Sequence, residues 1–180
     1  MIEPVDPATV SVFTVPDGSG DPLCDCYLFG GQKTDATIEL ILMDQDGNPV
    51  PYFPAEEMWL ATMQDGLVRC SHGSIADNPT DQDGRTTFSG PIYGGGASDP
   101  ERGEYSVIVV AGCASYDPGR IILFNSPDLN GDLKVNLSDV VCYRIFMDDT
   151  ISYAFDFYWD GIINLSDLVL FSRAIGASCP

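Results

Sequence analysis

Basic residues are scarce in this chain: 8 Lys and Arg stand against 27 Asp and Glu, for a formal charge of −19 at pH 7. Nucleic-acid phosphates and anionic membranes would be repelled by that balance and are excluded as partners. Histidine occurs once, as His72 in Cys70-Ser71-His72-Gly73, so a base beside a Ser or Cys nucleophile has one possible source, and that source is read as an exposed loop residue. No Gly-rich phosphate loop is present. Glu56 and Glu57 are adjacent, and adjacent strand residues point to opposite faces, which prevents the pair from flanking one glycosidic bond. The chain is therefore read as not an enzyme. No apolar run reaches the length of a membrane span. The opening Met1-Ile2-Glu3-Pro4-Val5-Asp6-Pro7 lacks the basic and apolar segment of a secretion signal, so either a leader has been removed or export is not encoded here.

Paired Cys-x-x-Cys motifs of the zinc type are also missing. The 6 cysteines, an even number in a turn-rich acidic chain, fit an oxidising, secreted or cell-surface setting. All of them, Cys24, Cys26, Cys70, Cys113, Cys142 and Cys179, are disulfide candidates, and the sequence does not choose among the pairings. Cys142 and Cys179 bracket the second of the two loops described next and are placed to close that segment. Cys24 and Cys26 form Cys-x-Cys, a metal-site spacing that here lacks a second cluster.

What is present is a pattern of oxygen-bearing residues that occurs twice, 28 residues apart: Asp128-Leu129-Asn130-Gly131-Asp132-Leu133-Lys134-Val135-Asn136-Leu137-Ser138-Asp139 and Asp156-Phe157-Tyr158-Trp159-Asp160-Gly161-Ile162-Ile163-Asn164-Leu165-Ser166-Asp167. Oxygen donors at loop positions one, three, five, nine and twelve, with the backbone carbonyl of position seven, can enclose a hard cation that takes six to eight oxygen ligands, which points to Ca²⁺. Six acidic side chains lie in the two loops, so two Ca²⁺ ions would relieve about four units of local repulsion. Folding is accordingly expected to be calcium-linked. Asn136-Leu137-Ser138 and Asn164-Leu165-Ser166 also match the glycosylation sequon, but the same asparagines are needed as ligands.

Residues 1–126 read as all-β, because short apolar and alternating runs recur between Gly, Pro, Asn and Asp punctuation. Strands are predicted at Thr9 to Val15, Ala36 to Met43, Met58 to Met63, Arg85 to Ser89, Tyr105 to Ala111 and Arg120 to Phe124. The run Thr37 to Leu42 starts by alternating and then turns continuously apolar, as in a strand covered on both faces. Asp44-Gln45-Asp46-Gly47 and Asp81-Gln82-Asp83-Gly84 are tight reversals, and each also offers two aspartates to a cation. An apolar 44% of residues is enough for a core and argues against disorder. The turn Asp46-Gly47-Asn48-Pro49-Val50-Pro51 and the later Thr80-Asp81-Gln82-Asp83-Gly84-Arg85-Thr86-Thr87-Phe88 resemble the bacterial immunoglobulin-like domains of invasin-type adhesins. That resemblance covers residues 9 to 124. It implies a two-layer β-sandwich that buries Ile38, Leu40, Trp59, Phe88 and Ile108 and serves as a spacer or adhesive surface.

Each loop leads into a helical pattern, Leu137 to Met147 and Leu165 to Ile175. Ser138, Asp139, Ser166 and Asp167 bring oxygen acceptors to the helix starts, and Gly176 is a stop. Val140, Val141, Tyr143 and Ile145, with Leu168, Val169, Phe171 and Ile175, offer apolar surface for packing the helices. The duplicated loop and helix resembles type I dockerins, calcium modules that bind cohesin domains, over residues 128 to about 176. The resemblance implies Asp128, Asn130, Asp132, Asn136 and Asp139 with the Lys134 carbonyl as first-site ligands. It implies Asp156, Asp160, Asn164 and Asp167 with the Ile162 carbonyl as second-site ligands. Leu133 stands where the loop wants a glycine at positive φ, and Tyr158 stands where an oxygen ligand belongs, so the second site is expected to be weaker. The same resemblance places partner contacts at Leu137, Ser138, Leu165 and Ser166, with Arg144 and Arg173 behind them.

The combined reading is mainly β with a small α module: an Ig-like β-sandwich over residues 1–126, then a duplicated EF-hand-like loop-helix module over residues 127–180. Its expected role is that of a non-catalytic extracellular calcium-binding assembly protein that associates with itself, to the point of filaments. An N-terminal strand within Val10 to Val15 would complete a neighbour's sheet. The alternative is a dockerin-bearing subunit of a cohesin-based cell-surface or polysaccharide-degrading complex. For that role Tyr158, Trp159 and Tyr93 would offer stacking surfaces, with packing or partner contact an equal alternative for each.

Overall fold

The computed structural model describes residues 9–62, 66–71, 73–98, 106–115, 121–146 and 153–180. Met1 to Pro7, Met63, His72, Tyr105, Arg120 and Met147 lie outside the described residues, as does the side chain of Ile145. The described chain is mainly β, with two helices at its C-terminal end.

Among the described residues eleven strands form several small sheets: β1 (Val10–Phe13), β2 (Cys26–Leu28), β3 (Gln32–Thr34), β4 (Ile38–Ile41), β5 (Met58–Thr62), β6 (Val68–Arg69), β7 (Arg85–Phe88), β8 (Gly94–Gly95), β9 (Ser106–Val110), β10 (Cys113–Ser115) and β11 (Ile122–Asn125). The largest sheet runs β11-β1-β2-β3, a second runs β10-β9-β5, and β4-β7 and β6-β8 are two-stranded ribbons. β1 and β11 are parallel, Val10 opposite Ile122 through Phe13 opposite Asn125, while β1 and β2 are antiparallel. The helices are α1 (Leu137–Phe146) and α2 (Leu165–Ala174).

Side-chain alternation along the largest sheet explains how the two ends of the chain are joined. Val10, Val12, Cys26, Ile122 and Phe124 enter a core with Leu23, Met58, Leu60, Phe88 and Ile92. The intervening Phe13, Tyr27 and Leu123 enter a second core with Val135, Tyr143, Phe155, Phe157, Trp159, Phe171 and Ala174. One sheet thus has a β-rich core on one face and an aromatic, helix-bearing core on the other. Phe13 meets Phe157 edge-on at 5.6 Å, and Tyr143 lies 5.5 Å from Phe155 and 5.3 Å from Phe171 between ring centroids.

Several expectations are corrected. β1 lies between β11 and β2, so an N-terminal strand at Val10 to Val15 has no free edge to lend to a neighbour. β4 is not covered on both faces: its burial alternates, with Glu39 and Ile41 exposed. Of the residues expected inside, Phe88 is buried, whereas Ile38, Leu40, Trp59 and Ile108 are only partly so. Glu56 and Glu57 sit in the 3-10 turn Ala55–Glu57 and not on a strand, both exposed. Pro54 precedes that turn and releases the chain into β5. Cys179 bonds to Cys70, 109 residues away, while Cys24, Cys26, Cys113 and Cys142 are free thiols. A bridge between Cys142 and Cys179 is therefore ruled out, and the actual one ties the chain's end to the β6 ribbon.

Candidate metal centre

β11 runs without a linker into the first loop, and every residue from Ile122 to Asp128 is buried. The two loops then build the same structure from different letters. The N–H groups of Asp132 and Leu133 donate to Asp128 Oδ1 at 3.1 Å and Oδ2 at 2.7 Å, and those of Asp160 and Gly161 donate to Asp156 Oδ1 and Oδ2 at the same distances. The position-twelve carboxylates reach back likewise. Asp139 accepts from the N–H of Asn130 (3.3 Å) and Asn136 (2.8 Å), and Asp167 from the N–H of Tyr158 (3.0 Å) and Asn164 (2.9 Å). Lys134 N–H donates to Asp132 Oδ1 at 3.0 Å, matching Ile162 N–H to Asp160 Oδ1 at 2.9 Å.

These bonds also start the helices. Asn136 Oδ1 accepts from Ser138 N–H and Asn164 Oδ1 from Ser166 N–H, both at 2.8 Å. With Asp139 and Asp167 returning to the asparagine N–H groups, each helix begins in a reciprocal cap. The caps are therefore the asparagines with the aspartates, and the serines contribute backbone N–H.

Both loops require left-handed backbone at positions four and six. The first has Gly131 (φ 69°) and Leu133 (φ 65°), the second Trp159 (φ 49°) and Gly161 (φ 84°). Each loop thus carries one glycine where it is needed and one residue held there at roughly 1–2 kcal/mol of strain. In the second loop the aromatic core offsets that cost. Trp159 is not an exposed stacking surface but is 3% exposed, edge-on to Phe29 at 5.9 Å and to Tyr153 at 6.2 Å.

A ribbon of the β-rich part holds each loop from outside. At the first, Gly96 N–H donates to the Asp128 carbonyl at 2.7 Å, and Gly95 leaves the space that the Asp128 carboxyl fills. At the second, the N–H groups of Gly30 and Gly31 donate to the Trp159 carbonyl at 2.9 and 3.2 Å. Tyr158 leans on Tyr27 with ring centroids 5.0 Å apart, and Lys33 Nζ sits 3.9 Å over the far ring. Position three of the second loop thus carries a ring that packs on Tyr27 and stays 38% exposed. Tyr93, the remaining aromatic considered for stacking, is half-buried and fills the space left by Gly18 and Gly73.

Asp128, Asp139, Asp156 and Asp167 are all buried, at 0–2% exposure. Burial pushes the Asp128 and Asp156 carboxyls up to about 6, against the backbone N–H donors and with help from the neighbouring carboxylates. Asn130, Asp132, Asn136, Asp160 and Asn164 lie nearer the surface, with the Lys134 and Ile162 carbonyls between them and each accepting an asparagine amide. Among the described residues no three His, Cys, Asp or Glu side chains gather closely enough to hold a metal ion. The carboxylates are spread over the loops' own backbone donors. The two Asp-Gly turns are likewise self-contained: Asp44 Oδ1 accepts from the N–H of Asp46 and Asn48, and Asp81 Oδ1 from the N–H of Asp83 and Arg85.

The predicted contact residues are on the surface. Leu137 is 78% and Leu165 71% exposed, and Ser138, Ser166, Arg144 and Arg173 are exposed beside them. Among the described side chains, Tyr143 on the first helix and Phe171 and Ala174 on the second enter the core as buried apolar residues. Val140, Val141, Leu168, Val169 and Ile175, expected to pack, face outward instead. Among the described residues no helix is long and apolar enough to cross a membrane. No protein-family model matches this chain, and comparison with curated proteins and with solved structures likewise finds no match.

Proposed function

We propose that this chain is a non-catalytic calcium-binding assembly protein, with an Ig-like spacer in its β-rich part and a dockerin-like docking module at residues 127–180. The observation that carries the reading is the repetition at 28 residues of the loop hydrogen bonds made by positions one, five, nine and twelve, position three differing because Tyr158 replaces Asn130. A carboxylate oxygen that accepts one N–H keeps a lone pair for a cation. The donor set is all oxygen, with three aspartates in each loop, which fits a hard divalent ion. Asp128, Asn130, Asp132, Asn136 and Asp139 with the Lys134 carbonyl would hold one ion, and Asp156, Asp160, Asn164 and Asp167 with the Ile162 carbonyl the other. Bound Ca²⁺ would supply the positive charge that the buried aspartates lack.

The docking surface would be drawn from the exposed Leu137, Val141 and Arg144 of the first helix and the exposed Leu165, Val169 and Arg173 of the second. A second copy of this chain is the partner we favour, on charge. Residues 1–126 hold 19 acidic and 5 basic residues, net −14, while residues 127–180 hold 8 and 3, net −5. Two Ca²⁺ would bring the latter to about −1. A nearly neutral, apolar and arginine-bearing face thus complements the acidic part of a neighbour, and a head-to-tail contact of that kind does not close on itself. The Cys70–Cys179 bridge fits an extracellular setting.

Light scattering at high protein concentration tests this. Particle mass is expected to grow in millimolar Ca²⁺, return to monomer in EDTA, and stay monomeric for Leu137→Asp with Leu165→Asp. A wild type that remains monomeric in Ca²⁺ contradicts self-assembly, and binding to a cohesin domain by that monomer would select the cohesin reading instead.

A further inference from the structure

We infer that Asn125 is a positioning residue that couples the two loops, its backbone leading into the first while its side chain holds the start of the second. The inference rests on the calcium reading above. Asn125 ends β11, is 0% exposed and stands three residues before Asp128. Its main chain is pinned: its carbonyl accepts the Thr14 N–H at 2.7 Å and the Thr14 hydroxyl at 3.3 Å. Its side-chain Nδ2 crosses to the other repeat and donates to the carbonyls of Tyr153 at 2.8 Å and Asp156 at 3.0 Å. Asp128 and Asp156, the first residues of the two loops, therefore hang from one buried side chain and the strand end that carries it.

Asn125 is held there at a cost. Its Oδ1 is buried and has no hydrogen-bond partner, a loss worth about 1–3 kcal/mol that an apolar side chain would avoid. What an apolar side chain lacks is two N–H donors aimed at two carbonyls. Among short uncharged side chains only the asparagine amide supplies them; Ser and Thr have one O–H, and an ionised Asp would set a negative charge against both carbonyls. A change in the backbone at either loop is then passed to the other through a short, rigid connection. Nothing comparable is needed merely to fill the core.

Calorimetric titration with Ca²⁺ of wild type, Asp128→Ala, Asn125→Ala and the double variant tests this. Asp128→Ala is expected to weaken the remaining second site by about 5-fold or more. Asn125→Ala is expected to weaken that site on its own and to abolish its response to Asp128→Ala. An equal response with and without Asn125, or none in wild type, overturns the coupling. Should Asn125→Ala fail to fold, Asp156→Ala keeps the question open to NMR. Ca²⁺ at the first loop should shift the Asn125 side-chain amide resonances, and unmoved resonances overturn the proposal. A wild type that takes up no Ca²⁺ overturns the calcium reading and the coupling with it.

Discussion

Gly95 and Asp128 face each other so closely that a methyl group on the glycine would occupy the place of the aspartate's carboxyl. β8 is thus a wall of the first loop, although it lies 33 residues upstream of it. Gly95→Ala is expected to lose about 1–3 kcal/mol of stability through overpacking and to weaken the first site selectively. Gly90→Ala, whose new Cβ would come no nearer than 3.9 Å to Asp77 Oδ1, is the control and should match wild type in chemical denaturation. Equal behaviour of the two variants would remove the wall.

The Cys70–Cys179 bridge fastens the chain's end, where Val135 N–H donates to the Ala177 carbonyl and Gly176 N–H to the Val135 carbonyl. Cys179→Ser is expected to cost about 2–4 kcal/mol, chiefly by freeing the unfolded chain. Denaturation midpoints with and without reductant check this: reductant should destabilise wild type and leave Cys179→Ser unmoved.

Thiol reactivity separates the free cysteines. Burial pushes the Cys26 thiol up to about 12, with Lys33 opposing, while Cys24 and Cys113 are exposed. Because the thiolate is the nucleophile, iodoacetamide on the native protein near pH 8 should modify Cys24 and Cys113 and spare Cys26 until denaturant is added. Mass spectrometry showing Cys26 modified in the native state would contradict the buried β2 strand.

Partial burial works to raise the Asp77 carboxyl, but hydrogen bonds from the Thr87 hydroxyl (2.7 Å), the Ser89 hydroxyl (2.8 Å) and the Ser89 N–H (3.2 Å) outweigh it and hold the group below the usual range. A carboxyl depressed in the folded state stabilises it above the ordinary pKa, and that benefit is lost as pH falls through the folded value. Wild type should exceed Asp77→Ala by no more than about 1 kcal/mol at neutral pH, since water screens an exposed carboxylate. The margin should narrow below about pH 4. A margin that widens in acid would have the sign wrong.

The strands legible in the sequence were those four or five residues long: β1, β4, β5, β7 and β9 all fall inside predicted runs, and β11 extends one residue beyond its run. β2, β3, β6, β8 and β10 escaped because two or three residues carry no period, and Gly94-Gly95 reads as a breaker although Gly94 packs closely against Leu67 and Gly95 against Asp128. The helices were legible from the apolar runs and oxygen-bearing residues at their starts, but the sequence reading puts the serines among the capping acceptors, whereas Asn136 and Asn164 make the caps with Asp139 and Asp167. Their outward apolar face was not legible, since periodicity says which residues share a side and not what covers it. The sequence leaves Trp159 open between stacking and packing for a related reason: an acidic loop does not say what covers it, and here the β2-β3 ribbon closes over it through Phe29, Gly30 and Gly31. Asn125 gave no signal, because its two partners lie 28 and 31 residues further along the chain.

Calorimetric titration with Ca²⁺ of wild type, Asp128→Ala and Asp156→Ala bears most directly on the calcium loops. Two unequal sites are predicted in wild type, with Asp128→Ala removing the tighter one and Asp156→Ala the weaker. Titrations of wild type that give only the heat of dilution would contradict the account.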